Sequence, residues 1–239
     1  MPVVTMAGRI GSPARLIGVE TARLLGADYV DHQIIVEASR RIGAPLEEVV
    51  QKDERSVRGR ERLADFFQKF LERSAAAGSG GDPFLGPTGI EVLMSRSMAE
   101  AAEPPGTQTD KVNDERYITA ITSVIVDESK TGNVVLIGRA GNVILNDLPT
   151  ALHVWVVAFE ESRIQEIARR ENLSEQEAKK FIKYHEEGRA AYYRKFHKVE
   201  PDDPTLYHLV LNTNKLGTEH SAQIIADAAR AMDRVPTGA

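Results

Sequence analysis

The residues best suited to chemistry stand at the ends of short apolar runs. The chain opens on Val3-Val4-Thr5-Met6-Ala7 and passes into Gly8, Arg9, Ile10, Gly11, Ser12, Pro13, Ala14 and Arg15. Small residues at such a turn let backbone N–H groups approach an anion, and the N-terminal end of the next helix adds positive potential. Gly8, Gly11, Ser12, Pro13, Ala14 and Arg15 are therefore candidate phosphate contacts. The usual Gly-Lys-[Ser/Thr] ending of a phosphate loop is missing, and Arg15 is the nearest cation that could replace its lysine. Pro13 removes one N–H donor from the cradle, although proline suits the start of a helix. The same stretch also reads as a plain strand-to-helix turn with a surface arginine.

Two further run-ends carry charge. Asp31 closes the short run Asp28–Asp31, where a carboxylate can hold a sugar hydroxyl or serve as base toward a phosphate acceptor. It is equally placed to cap the segment His32–Ile42. Arg139 lies between small residues in Gly138-Arg139-Ala140-Gly141, directly after Val134–Ile137. A guanidinium there can clamp a phosphate bidentately, and Asp31 and Arg139 together are candidate acceptor contacts. Later, Arg189 to Lys198 is rich in basic side chains, with Arg163, Arg169 and Arg170 before it. Such a cluster can neutralise charge in phosphoryl transfer. Most of it reads as a solvated face balanced by Glu160, Glu161, Glu171, Glu175 and Glu177; Arg189 and Arg194 are singled out as catalytic candidates beside Arg15 and Asp31. The histidines show no metal-ligand spacing, and no Ser/His/Asp set points to hydrolysis.

The elements that must position these residues alternate. Strands are expected at Pro2–Ala7, Asp28–Asp31, Val134–Ile137, Leu152–Ala158 and His208–Asn212. Helical spacing marks Arg15–Leu25, Gln33–Ile42, Tyr117–Glu128 with Gly132 as its stop, Glu160–Glu171, Ser174–Lys198 and Thr218–Met232. Ser174 and Glu177 form a capping box. The pattern predicts an α/β fold with a mostly parallel sheet covered on both faces, and ligands at the C-terminal edge of the strands. Gly8–Ala14, Asp31 and Gly138-Arg139 should converge there.

Residues 45–113 interrupt the alternation. They read as a helical insertion on the substrate side, with a charged helix over Val57–Ala77 and a flexible segment over 78–90 that holds Gly78-Ser79-Gly80-Gly81. The rest fits one domain over 1–239, with a lid-like helical segment over 160–200. Composition is ordinary for a globular protein: 42% apolar, 27% charged, no cysteine, over 239 residues. A formal charge of −5 argues against general nucleic-acid binding but leaves room for a local basic pocket. No targeting signal and no membrane-length apolar run is present, so a cytoplasmic protein with no membrane association is expected.

Several of these pieces resemble one family, the cytidylate kinase-like proteins, a P-loop group related to nucleoside monophosphate kinases. The family's Ser-Arg-Gln-Tyr-Gly-Ser-Gly-Gly-Arg-x-Ile-Gly loop corresponds to Ala7 through Gly18, and its Tyr-Asp-Lys-x-Ile-Ile to Val30 through Ile35. Its Gly-Arg-Gly-Ala-x-x-Ile-Leu is similar to Gly138 through Leu145. Its Arg-Ala-Ala-Tyr-Tyr and Asn-Thr-x-x-Leu-Gly are matched at Arg189–Tyr193 and Asn212–Gly217. The resemblance covers about 1–43 and 115–230. It implies a five-stranded parallel sheet in a three-layer sandwich. It implies donor phosphates at Gly11–Arg15, an acceptor monophosphate at Asp31 and Arg139, and a closing segment with Arg189 and Arg194. The implied reaction moves the γ-phosphoryl group of ATP, as its magnesium complex, to a nucleoside monophosphate such as cytidylate or a similar phosphorylated small molecule.

The departures fall on the loop itself. Pro13-Ala14 stands for the family's Gly-Gly, Ala7-Gly8 for its Ser-Arg, and no loop lysine exists. No acidic residue follows the third strand to help hold magnesium. The alternative reading is accordingly a pseudokinase, a kinase-like fold kept as a nucleotide-binding or regulatory module. A third reading, an interaction protein or homodimer, rests on the apolar stripe Phe66, Phe67 and Phe70.

Overall fold

Short β-branched runs bounded by small or polar residues set the strands, and the segments of 3.6-residue period between them set the long helices. The structure is a computed structural model and describes residues 1–44, 49 and 114–233. In chain order it holds β1 (Val3–Gly8), α1 (Ala14–Leu25), β2 (Asp28–Val30), α2 (Gln33–Ile42), α3 (Asp114–Thr131), β3 (Val134–Ile137) and α4 (Gly141–Ile144). There follow β4 (Ala151–Val157), α5 (Glu160–Glu171), α6 (Glu175–His197), a 3-10 turn at Pro204–Leu206, β5 (Leu209–Asn212), α7 (Thr213–Leu216) and α8 (Thr218–Met232).

The boundaries have local causes. Gly132 ends α3 with a left-handed φ of 67°, a conformation that costs glycine nothing. The Ser174 hydroxyl accepts from the Glu177 backbone N–H, and the Glu177 carboxylate accepts from the Ser174 N–H, so the expected capping box starts α6. The short elements α4, α7 and the 3-10 turn were not expected from sequence. Each spans a single turn, too short for a periodic signal.

All five strands are parallel, in the order β2-β3-β1-β4-β5. Alternate side chains along each strand serve opposite faces. Val3 of β1 joins Val134 and Leu136 of β3 in a core closed by α2, α3 and Tyr192 and Tyr193 of α6. Val4 and Met6 join Val135, Ile137, Val154 and Val156 in a second core closed by α1 and α8. The sheet is thus the middle of three layers, as expected. A smaller cluster of Ile167, Ala178 and Ile182 holds α5 against α6.

Parallel register brings the candidate run-ends together. Met6 pairs with Ile137 and Val30 with Leu136, so Gly8, Asp31 and Gly138 leave the sheet at one edge. The expected insertion over 45–113, with its helix, its 78–90 segment and its phenylalanine stripe, lies outside the described residues apart from residue 49. Among the described residues no helix is long and apolar enough to cross a membrane.

Candidate functional site

Asp31 is the centre of the sheet-edge cluster. Its side chain is 6% exposed. One carboxylate oxygen accepts from Arg139 Nη1 at 3.0 Å, and the other forms an ion pair with Arg15 Nε at 2.9 Å. His32 Nε2 stands 3.9 Å away, and Tyr29 donates its hydroxyl to Asp31 at 3.5 Å. Burial, reinforced by the Asp31 charge, pushes the Tyr29 phenol up, so it stays protonated and remains a donor. The side chain of Asp31 does not cap α2. His32 is the N-cap residue, in helical conformation and without a side-chain cap bond. The carboxylate turns instead to two guanidinium groups, whose charge in a nearly dry site outweighs the dipoles of a helix end.

Local backbone geometry aims Arg139. Gly138, Arg139 and Ala140 are all left-handed, with φ of 76°, 50° and 55°. Only the first is a glycine, so two L-residues hold a conformation worth about 1–2 kcal/mol of strain each. The turn is over-determined on both sides: Gly138 N–H bonds the Met6 carbonyl at 2.9 Å, and Gly141 N–H bonds the Gly138 carbonyl at 3.0 Å. It ends in α4, where buried Asn142 accepts from the Tyr193 hydroxyl at 3.1 Å.

The loop between β1 and α1 is tight. Arg9 N–H bonds the Val156 carbonyl at 3.0 Å and Ser12 N–H bonds the Arg9 carbonyl at 2.9 Å. Gly11 has a φ of 83°, and a Cβ there would stand 2.7 Å from the Arg163 carbonyl oxygen. Only glycine meets both demands. The Ser12 hydroxyl oxygen is buried and has no hydrogen-bond partner among the described residues. Pro13 is the N-cap residue of α1 and Ala14 its buried first residue. Arg15 therefore starts in the first turn, but its Nε meets Asp31, and its side chain stays 39% exposed.

The basic residues of α5 and α6 divide into buried and solvated groups. Arg189 is buried; it donates to the Gly8 carbonyl at the base of the loop, and its guanidinium lies 5.7 Å from the centre of the Trp155 ring. Arg194 is half exposed and pairs with Glu200 at 3.1 Å. Arg169 and Arg170 pair with Glu166 and Glu171, the solvated face that the sequence suggests. Arg163 belongs to the other group. It is 9% exposed and bonds the Ile10 carbonyl at 3.2 Å and Glu186 at 2.9 Å. Sequence reasoning placed Arg163 on the solvated face and passed over Glu186 and Arg9, which meet at 3.4 Å. No local pattern marks them, because three separate elements supply the partners.

The structure thus brings Arg15, Asp31 and Arg139 into one cluster. Gly8, Gly11, Ser12, Pro13 and Ala14 form the adjoining turn, Arg189 touches its base, and Arg194 pairs elsewhere.

Beneath the edge, on the face covered by α3 and α6, β1 and β4 carry a buried polar pair. Thr5 Oγ1 and His153 Nδ1 are 2.8 Å apart, and the His153 backbone N–H donates to His208 Nδ1 at 2.9 Å. Burial and the neighbouring His208 lower the His153 pKa to about 4, so its ring is neutral at pH 7.

A parallel sheet in this order, with a small-residue turn from β1 into α1 and arginines gathered at the strand ends, is the architecture of a kinase-like α/β protein. The chain belongs to the Cytidylate kinase-like family, whose model matches residues 3–215. It is 32% identical over 105 residues to a cytidylate kinase of Methanocaldococcus jannaschii, covering 43% of this chain and 59% of that one. A cytidylate kinase of Methanopyrus kandleri is 30% identical over 104 residues, covering 44% and 53%. The chain therefore spans little more than half the length of these relatives. Among solved structures, an uncharacterized protein from Eubacterium ventriosum superposes with a TM-score of 0.60, over 97% of this chain and 99% of that one, at 11% identity, a likeness of fold alone.

Proposed function

We propose that the protein is a nucleotide-binding phosphotransferase that moves the γ-phosphoryl group of ATP to a nucleoside monophosphate or a closely similar phosphorylated acceptor. One observation carries this reading: Asp31 holds Arg15 and Arg139 side by side where β1, β2 and β3 end. A carboxylate between two guanidiniums tethers each through one nitrogen and leaves the trio with net positive charge. That is the requirement for seating a monophosphate bidentately. The names of the cytidylate kinase relatives make cytidylate the first acceptor to try.

The donor end is supported by the tight β1–α1 turn and by the buried Ser12 hydroxyl, without a partner among the described residues, beside the α1 N-terminus. ATP enters as its magnesium complex, with the metal arriving as part of the substrate. Gly11, Ser12 and Ala14 would border its phosphates, and Arg15 and Arg139 would face the acceptor phosphate. Arg189, at the Gly8 carbonyl, would lie at the floor between the two. Catalysis in such a site is positioning plus neutralisation of charge, with no covalent intermediate on the protein. Asp31 acts by orienting Arg15 and Arg139.

The pseudokinase reading has its own observation. Arg15 is engaged by Asp31 instead of reaching back over the loop, and Pro13 offers no N–H at the start of α1. A coupled assay across the common nucleoside monophosphates with ATP and magnesium, together with calorimetry of the same ligands, separates the two. Turnover that falls in Arg139→Ala supports the phosphotransferase. Binding of ATP without turnover of any acceptor supports the pseudokinase.

A further inference from the structure

The loop at 9–12 makes direct contacts with α5 and α6. The Ile10 side chain packs on the cluster of Ile167, Ala178 and Ile182. The Ile10 carbonyl accepts from Arg163 Nη1 at 3.2 Å. A Cβ on Gly11 would come within 2.7 Å of the Arg163 carbonyl oxygen and 2.9 Å of its Cβ, so loop and helix backbones are in direct contact. Glu186 of α6 closes the arrangement. Its two oxygens take Arg163 Nη1 at 2.9 Å and Arg9 Nη1 at 3.4 Å, and Arg9 Nη2 reaches Asp202 at 3.0 Å.

We infer that Glu186 is a positioning residue that joins the candidate phosphate loop to α5 and α6, so that loop and helices open and close as one unit. The side chains of Arg163 and Glu186 are 11% and 23% exposed, so water replaces little of what the pair supplies. Removing the carboxylate leaves Arg163 charged in a poorly hydrated place, and that cost falls on the joint itself. An exposed pair such as Arg194 with Glu200 lacks this leverage. Coupled opening means that an anion held by the loop restrains α5 and α6 through contacts that Glu186 helps to hold in place. This consequence rests on the nucleotide-binding reading; the coupling does not.

Amide hydrogen exchange on the full chain tests the joint without any ligand. In the native protein the amides of 9–12 and of Glu160–Glu171 should share one dependence on low denaturant, the mark of a cooperative unit. Glu186→Ala should speed exchange in both segments by about tenfold or more, with the amides of Val3–Gly8 unchanged. Glu186→Gln, which keeps the shape and an acceptor oxygen, should fall between. Gly11→Ala breaks the joint without touching a charge and should give the same paired acceleration. Acceleration of the loop alone, or of neither segment, overturns the proposal. Where Glu186→Ala does not fold, Gly11→Ala and Glu186→Gln decide by the same criterion. With MgATP added, protection should reach α5 and α6 in the native protein and not in Glu186→Ala. Absence of MgATP binding to the native protein counts against the nucleotide reading, and the ligand-free exchange still decides the coupling.

Discussion

Asp31 and Arg139 meet at 3.0 Å across 108 residues of sequence, each with a side chain only 6% exposed. A strained left-handed turn delivers the arginine, and a three-residue strand delivers the carboxylate. Neither group has much water to fall back on, so the contact between them matters to both.

Asp31→Asn should therefore be costly to the fold. It leaves the buried Arg139 charge with a neutral neighbour and also releases Arg15. A loss of about 2–3 kcal/mol is expected, read from urea denaturation at pH 7. A loss under about 0.5 kcal/mol would mean that the pair behaves like an exposed one.

Arg139→Lys keeps the charge and discards the fork. In the proposed reading KM for the acceptor should rise by about tenfold or more while KM for ATP moves by less than about twofold. Equal changes in both constants would place Arg139 outside the acceptor site.

Arg189 and Arg194 separate a buried role from an exposed one. Arg189→Ala removes a bond to the Gly8 carbonyl and a cation over Trp155, and should destabilise by about 1–3 kcal/mol. Arg194→Ala breaks only its exposed pair with Glu200 and should stay within about 0.5 kcal/mol. Thermal unfolding of the two variants side by side checks the contrast.

His153 makes stability depend on pH. Its folded pKa of about 4 lies below the 6.5 of a free imidazole. The unfolded chain therefore binds the extra proton first as pH falls. Stability is full above 6.5, declines between 6.5 and 4, and levels off below 4 as far as this group is concerned. The total loss is about 3 kcal/mol. His153→Asn cannot titrate there, so the difference between the native and variant pH profiles isolates the slope. Parallel profiles would show that His153 carries none of it.

Much of this architecture is readable in the chain. Val134–Ile137, Gln33–Ile42, Glu160–Glu171 and Thr218–Met232 begin and end where apolar period and punctuation place them. The Ser174 and Glu177 capping box is a four-residue code and forms as written. The convergence of Gly8, Asp31 and Arg139 follows from topology, since parallel strands release their C-termini at one edge.

The partners of those residues were not readable. Asp31 is a good N-cap by type, and nothing near it in sequence says that Arg15 and Arg139 will claim its carboxylate first. Arg163 sits among glutamates that would hold it on a solvated face, yet it packs under the loop with Glu186. Local order in a sequence decides hydrogen bonds within a helix turn and the side of a strand that a residue faces, because those depend on neighbours a few positions away. The sequence by itself therefore determined the elements, their alternation and the edge at which the charged groups gather. Which charge neutralises which was decided only when packing excluded water from some of those groups and left the others wet. With water largely excluded from Asp31 and Arg139, a guanidinium 3 Å away outweighs the helix end next to Asp31 in sequence.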